Sequence, residues 1–324
     1  MRYFYCLLII MLAAGCGNSQ KSSSETTNNT VTQKPVGPVF CADSAFLFCQ
    51  QQCDFGPRTM NSDAHEQCGA WIAGKFASYG LQVTEQRASL RGFDGTALLS
   101  NNIIASYHPE REDRILICAH WDSRPWADND PDEANHQKPV LAANDGASGV
   151  AVMLELARLA GMTDSLRVGV DFICFDAEDW GQEGDGDSWA LGAQYWAAHL
   201  HRPGYKARYG ILLDMVGGQG ARFFQEGYSL QYAPQVVSQV WQAAEVVGYG
   251  SFFPRQQGGT ITDDHGPVNE VAGIPCIDII PCYPNCEQSS FGPTWHTVSD
   301  DMQHIDAATL RAVGQTLVQV LFSE

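Results

Sequence analysis

Positive charge is scarce in this sequence. Its 324 residues carry 19 Lys plus Arg against 37 Asp plus Glu, a formal charge of −18. That balance argues against nucleic acid or anionic lipid headgroups as partners, because phosphate binding needs a cationic face that releases counterions. The cysteines contain no paired Cys-x-x-Cys spacing, which argues against zinc-finger use. Gly146-x-x-Gly149 lacks the lysine of a phosphate loop. Ser123 and Ser148 lack the Gly-x-Ser-x-Gly setting of a nucleophile elbow. There is no internal repeat, and no apolar run reaches the roughly 20 residues a membrane-spanning helix needs.

What is present is ordinary globular material, 44% hydrophobic and 17% charged, enough to bury one large core. Met1-Arg2, the apolar run Tyr3 to Leu12 and then Ala13-Ala14-Gly15-Cys16 read as a secretory signal. Leu12 to Cys16 looks like a bacterial lipobox, so residues 1–16 are expected to be a lipoprotein signal peptide with Cys16 as the acylated residue. The expected location is the bacterial cell envelope, lipid-anchored through Cys16, with the folded domain in the periplasm. Residues 17–39 are poor in apolar residues and rich in Ser, Thr and Asn, the composition of a disordered tether. One domain is expected over 40–324. Cys118, Cys174 and Cys276 lie in apolar strand-like runs and read as buried thiols, whereas Cys282 with Cys286, and the set Cys41, Cys49, Cys53 and Cys68, are the better disulfide candidates.

Hydrophobic periodicity predicts helices over Ala42–Gln52 and Asp63–Tyr79, the second capped by Ser62 or Asn61. Strands are predicted at Leu81–Ala88, Asn102–Tyr107, Arg114–Ala119, Leu166–Phe175, Tyr209–Met215 and Cys276–Ile280. Further helices are predicted at Ala147–Ala160, Trp189–Leu200, Ser229–Val247 and Asp306–Phe322. Continuous apolar strands alternating with helices imply an α/β three-layer sandwich, its central mixed and largely parallel sheet flanked by helices.

In such sheets ligands gather at the carboxyl ends of the strands. Here those ends read His120-Trp121-Asp122, then Asp176-Ala177-Glu178-Asp179, then Asp214. Asn144-Asp145-Gly146 opens a helix, and Asp263-Asp264-His265 and Trp295-His296-Thr297 follow toward the C-terminus. Carboxylate oxygen and imidazole nitrogen without thiolate is the donor chemistry of catalytic zinc.

These motifs, His120-x-Asp122, Asn144 to Gly149, Glu178-Asp179 and His296-Thr297, resemble the signature of the zinc-dependent exopeptidases, which include bacterial aminopeptidases. Within that superfamily the chain is most similar to the glutaminyl-peptide cyclotransferases. Asp263 stands where the aminopeptidases usually have Ser, and Trp189, Ile261, Phe291 and Trp295 match cyclase pocket positions. The resemblance implies an acyltransferase acting on peptides and proteins with N-terminal Gln. Asp145, Asp179 and His296 would be the Zn2+ ligands, and Glu178 the general acid/base with Asp214 and Asp263 as hydrogen-bonded partners. Trp189, Ile261, Phe291 and Trp295 would wall the pocket. One zinc is expected. His120 and Asp214 would complete a second metal site in an aminopeptidase, so the alternative is a two-metal enzyme hydrolysing N-terminal residues. Asp122 and His265, with His120, are candidates either for that second metal or for bracing the acidic network from behind. Asp179 is Glu in the animal cyclases, and its shorter arm must approach the metal more closely.

Overall fold

The computed structural model describes residues 34–324, so the signal segment, Cys16 and most of the 17–39 stretch lie outside the described residues. Lys34 to Phe40 run along the last helix, where the Val36 and Phe40 N–H groups donate to Gln319 Oε1 (2.8 Å) and Gln315 Oε1 (2.9 Å). No described helix is long and apolar enough to cross a membrane.

The chain forms strands β1 (Gln82–Arg91), β2 (Ala97–Tyr107), β3 (Arg114–His120), β4 (Gly169–Phe175), β5 (Gly210–Leu213) and β6 (Cys276–Ile279). The helices are α1 (Ala42–Cys53), α2 (Asp63–Ser78), α3 (Ala147–Gly161), α4 (Leu191–Ala198), α5 (Gly227–Tyr232), α6 (Pro234–Val246), α7 (His265–Glu270) and α8 (Ala307–Phe322). The strands make one sheet in the order β1-β2-β4-β3-β5-β6. β3 pairs in parallel with β4 and β5, and β5 with β6, while β1–β2 and β2–β4 are antiparallel. This is the expected mixed, largely parallel sheet.

Alternation within the central strands explains their unbroken apolar runs. Ile115, Ile117 and Ala119 of β3 and Val170, Phe172 and Cys174 of β4 enter the larger core with residues of α1, α2, α3, α6 and α8. Leu116, Cys118, Ile173 and Phe175 face the opposite core with Trp196 of α4 and Val268 of α7. A strand covered on both faces has no polar side to show. Asp171 is the exception. It is fully buried in β4 and takes both Nε and Nη2 of Arg114 at 2.6 Å, with Tyr205 Oη at 2.8 Å.

Several boundaries differ from expectation for local reasons. The predicted helix Ser229–Val247 is two helices, because Pro234 has no N–H to continue α5 and instead starts α6 at N1. β1 and β2 extend to meet in a tight hairpin at Gly92–Thr96. Ser62 is the cap of α2, accepting from the His65 N–H at 3.1 Å. Asn61 instead adopts φ 67° and its side chain binds Ala97 O and Leu99 N–H. All nine cysteines from Cys41 onward are free, so neither group of disulfide candidates is paired. Cys49 and Cys53 stand one turn apart on α1, with the Cys49 thiol turned to the Ala143 carbonyl at 3.0 Å.

Arg114→Met leaves a buried, unpaired carboxylate at Asp171. The expected loss of stability is about 3–5 kcal/mol, read by urea unfolding, and a loss below about 1 kcal/mol would show the pair to be dispensable.

Candidate active site

The carboxyl ends of β3, β4 and β5 lie side by side, with β3 between its two parallel neighbours. That topology brings together residues far apart in sequence. His120 is the last residue of β3. Its Nε2 lies 2.9 Å from Asp145 Oδ1 and 3.3 Å from Asp214 Oδ1, and its Nδ1 is 3.5 Å from Asp122 Oδ1. Asp145 precedes α3 and is followed by Gly146, where a Cβ would fall 2.5 Å from the His120 carbonyl oxygen. Only glycine allows this approach of the loop to β3.

Backbone amides set the loops. Glu178 N–H and Asp179 N–H donate to the two oxygens of Asp122 at 3.1 and 3.2 Å, so this carboxylate shapes the turn that follows β4. Asp300 does the same for the other loop, accepting from Asn144 N–H (2.8 Å) and Asp145 N–H (3.1 Å). Ala177, Met215 and His296 all adopt positive φ, at 55°, 49° and 53°, concentrating unfavourable backbone around the site.

His296 Nε2 lies 3.2 Å from Asp179 Oδ1 and 3.6 Å from Asp145 Oδ2. Asp145, Asp179 and His296 each offer a ligand atom within 4.8 Å of the others, and so do His120, Asp145 and Asp214. The first triad fits a zinc ion. Its donors are oxygen and nitrogen, all are buried, and Asp179 Oδ2 is a buried oxygen with no hydrogen-bond partner. In the second triad the His120 ring nitrogen is already hydrogen-bonded to both carboxylates.

A cavity of about 370 Å³ opens beside these residues. Its lining includes Asp145, Glu178, Asp214, Asp263 and His296, and all of the expected walls, Trp189, Ile261, Phe291 and Trp295. Trp295 stacks on His296 at 3.8 Å between ring centroids and meets Phe291 at 5.0 Å, giving the carboxylates an aromatic surround.

Burial pushes the Glu178 carboxyl well above its ordinary range, with His120 opposing and Asp179, Asp263 and Asp264 adding repulsion. Burial likewise lifts Asp214 to about 6 and Asp263 to about 7. Asp145 moves the other way: burial raises it, but the hydrogen bond and charge of His120, together with the charges of His296 and Arg124, outweigh that. Asp214 and Asp263 therefore share the compartment with Glu178, but among the described residues neither hydrogen-bonds to its carboxyl as the resemblance implied. Asp214 Oδ1 meets His120, and Asp263 Oδ1 accepts from Asp264 N–H at 2.5 Å. His265 lies further back, its Nε2 3.2 Å from Glu226 Oε2.

Three residues that sequence reasoning passed over complete the arrangement. Buried Arg124 forks onto Asp128 (2.8 and 2.6 Å), donates to the Asp179 carbonyl (3.0 Å), and lies 3.4 Å from the Asp179 carboxylate. Its guanidinium also covers Trp189 at 4.9 Å. Asp128 Oδ1 in turn stands 3.6 Å from His296 Nδ1. Glu226 accepts from Ile261 N–H at 2.9 Å and fixes that wall of the pocket. A lone Arg two residues after Asp122 carries no periodicity or motif that could have flagged it.

A sequence model of peptidase family M28 matches residues 102–321. Aminopeptidase YwaD of Bacillus subtilis is 29% identical over 278 residues, which are 82% of this chain and 54% of that protein, so the chain spans about half the length of that relative. The crystal structure of Bacteroides thetaiotaomicron glutaminyl cyclase bound to N-acetylhistamine is 50% identical, with a TM-score of 0.87 over 89% of this chain and 100% of that one. A Zn-dependent exopeptidase from Parabacteroides distasonis is 46% identical, also with a TM-score of 0.87, over 89% and 100% of the two chains. With its family model covering the sheet from β2 onward and the last helix, the chain belongs to peptidase family M28.

Proposed function

We propose that the protein is a glutaminyl-peptide cyclotransferase that converts N-terminal Gln of peptides and proteins to pyroglutamate with release of ammonia. The observation that carries this reading is Asp263 in the pocket beside Glu178, within aromatic walls matching the cyclase positions. The 50% identity to a glutaminyl cyclase over that protein's whole chain supports it.

One zinc is assigned to Asp145, Asp179 and His296. The chemistry it supplies when bound is Lewis acidity toward the γ-carbonyl of the substrate. Reserving His120 and Asp214 for a carboxylate–imidazole network is supported by the hydrogen bonds they already make. In the reaction the substrate α-nitrogen bonds to its own γ-carbonyl carbon, the bond from that carbon to the amide nitrogen breaks, and ammonia departs. Glu178 takes a proton from the amine and returns it to the leaving nitrogen. An ordinary carboxyl, near 4.3, would be a weak donor at neutral pH, and burial is what fits Glu178 for both directions. Trp189, Ile261, Phe291 and Trp295 hold the Gln methylenes folded back, which reduces the entropic cost of ring closure. On the sequence alone, lipid anchoring through Cys16 and a periplasmic catalytic domain complete the proposal, with the expected tether shortened at its far end, because Val36 and Pro38 are bonded to the last helix.

Glu178→Gln is expected to keep zinc and lose turnover by at least about 10²-fold, measured as ammonia release from a Gln-initiated peptide. Normal cyclisation by this variant would remove Glu178 from the role. Metal analysis of the purified protein is expected to find one zinc per chain, with activity abolished by chelation and restored by one equivalent. Two zinc ions with release of free amino acid would instead support the aminopeptidase alternative. Arg124→Gln is expected to lose zinc to a competing chelator about 10- to 100-fold more readily, because it frees both Asp179 and Asp128.

A further inference from the structure

Beyond the catalytic cavity lies a second hollow of about 420 Å³. The two share a rim made of Arg124, Asp128 and Glu183. The far side of the second hollow is aromatic. Phe93 sits at the tip of the β1–β2 hairpin and is 40% exposed, and its ring meets Trp126 edge-on at 5.8 Å. Trp126 in turn meets Trp180, next to Asp179, at 5.0 Å. The hairpin is held close to this wall, because a Cβ on Gly92 would lie 2.6 Å from Trp180 Nε1. Leaving a phenylalanine in water at a hairpin tip contributes nothing to the core, yet here it extends a braced aromatic wall that leads back to the catalytic turn.

Charge in the hollow is negative. Arg124 is matched by Asp128, which takes its fork at 2.8 and 2.6 Å, so those two cancel. His136 Nε2 is engaged with the Asp130 carbonyl at 2.7 Å. Glu183 makes no side-chain hydrogen bond or ion pair among the described residues, and Asp185 and Asp187 follow it on the same exposed segment. The Arg124 guanidinium already lies over the Trp126 ring at 5.6 Å, so the aromatic surface left open is that of Phe93, and an open aromatic face in a hollow with an unpaired carboxylate is a receptor for an ammonium or guanidinium group.

We propose that this hollow is the subsite for the second and third residues of the substrate peptide, and that it selects chains with Lys or Arg there. The inference rests on the cyclase reading, in which the N-terminal Gln fills the catalytic cavity. The remainder of the chain must then leave across the cavity rim. At about 3.3 Å of advance per extended residue, the residues just after Gln are the ones that reach the adjoining hollow. The Lys or Arg stem lies on Phe93, and its charge faces Glu183.

The test compares kcat/KM, by ammonia release, for Gln-amide, Gln-Ala-Lys, Gln-Ala-Ala and Gln-Ala-Glu. The wild type is expected to prefer the Lys peptide over the Glu peptide by about three- to tenfold, the size of one exposed ion pair plus one cation–π contact. The preference is expected to shrink as salt is raised through the range where the screening length falls below about 10 Å. In Phe93→Ala and in Glu183→Gln the ratio between Lys and Glu peptides is expected to fall toward one, whatever the absolute rates. A wild-type ratio near one, or a ratio that survives both substitutions, overturns the subsite. Failure to cyclise Gln-amide and all three peptides would instead overturn the underlying cyclase reading.

Discussion

The constraint on which this structure depends is buried negative charge. Asp122, Asp145, Glu178, Asp179, Asp214, Asp263, Asp264, Asp278 and Asp300 are all buried around the ends of the parallel strands. Two carboxylates about 4 Å apart repel by about 4 kcal/mol at an effective dielectric of 20. They cannot all ionise unless something opposes them. Three answers are used in turn: backbone amides for Asp122, the His120 ring for Asp145, and raised proton affinity for Glu178, Asp179, Asp214, Asp263 and Asp300, where burial outweighs the His296 and Arg124 charges beside Asp179 and the amides beside Asp300. The unpartnered Asp179 oxygen is where the proposed zinc would complete the balance.

The same economy links charge to shape. Each carboxylate satisfied by backbone N–H groups also determines the path of a loop, so Asp122 orients Glu178 and Asp179 together, and Asp300 orients Asp145. Glu226 does this for the pocket wall at Ile261, and its bond to His265 helps hold it near about 2 against the opposing effect of burial. Rigid strands therefore deliver the site, but carboxylate-to-amide bonds aim it.

Arg124 joins two functions that would otherwise be separate. Its fork on Asp128 places that carboxylate beside His296, its contacts with Asp179 steady a ligand with a short arm, and its face covers Trp189. The planar guanidinium makes these contacts in different directions at once, which a lysine ammonium could not do. In the proposed zinc site, metal retention and pocket shape would thus share one side chain.

Local chemistry was legible in the sequence wherever a single element carried it. The buried strands stand out because β3 and β4 are covered on both faces, and the carboxyl ends of β3, β4 and β5 point to His120, to Glu178 and Asp179, and to Asp214. Asp145, Asp263 and His296 stand out as polar loop clusters, but their roles were readable only with the help of family resemblance, since each sits in a loop without periodicity. The split at Pro234 was readable in principle, because a missing N–H is a local fact. What folding alone decided was pairing across distance. Arg124 with Asp128 and Asp179, Asp300 with Asp145, Asp171 with Arg114, and Phe93 against Trp126 leave no trace in spacing. Composition and pattern determine which face of a segment is buried, because that depends on its own residues. Which charge meets which depends on strand order and loop path, and those are set only when the whole sheet closes its core.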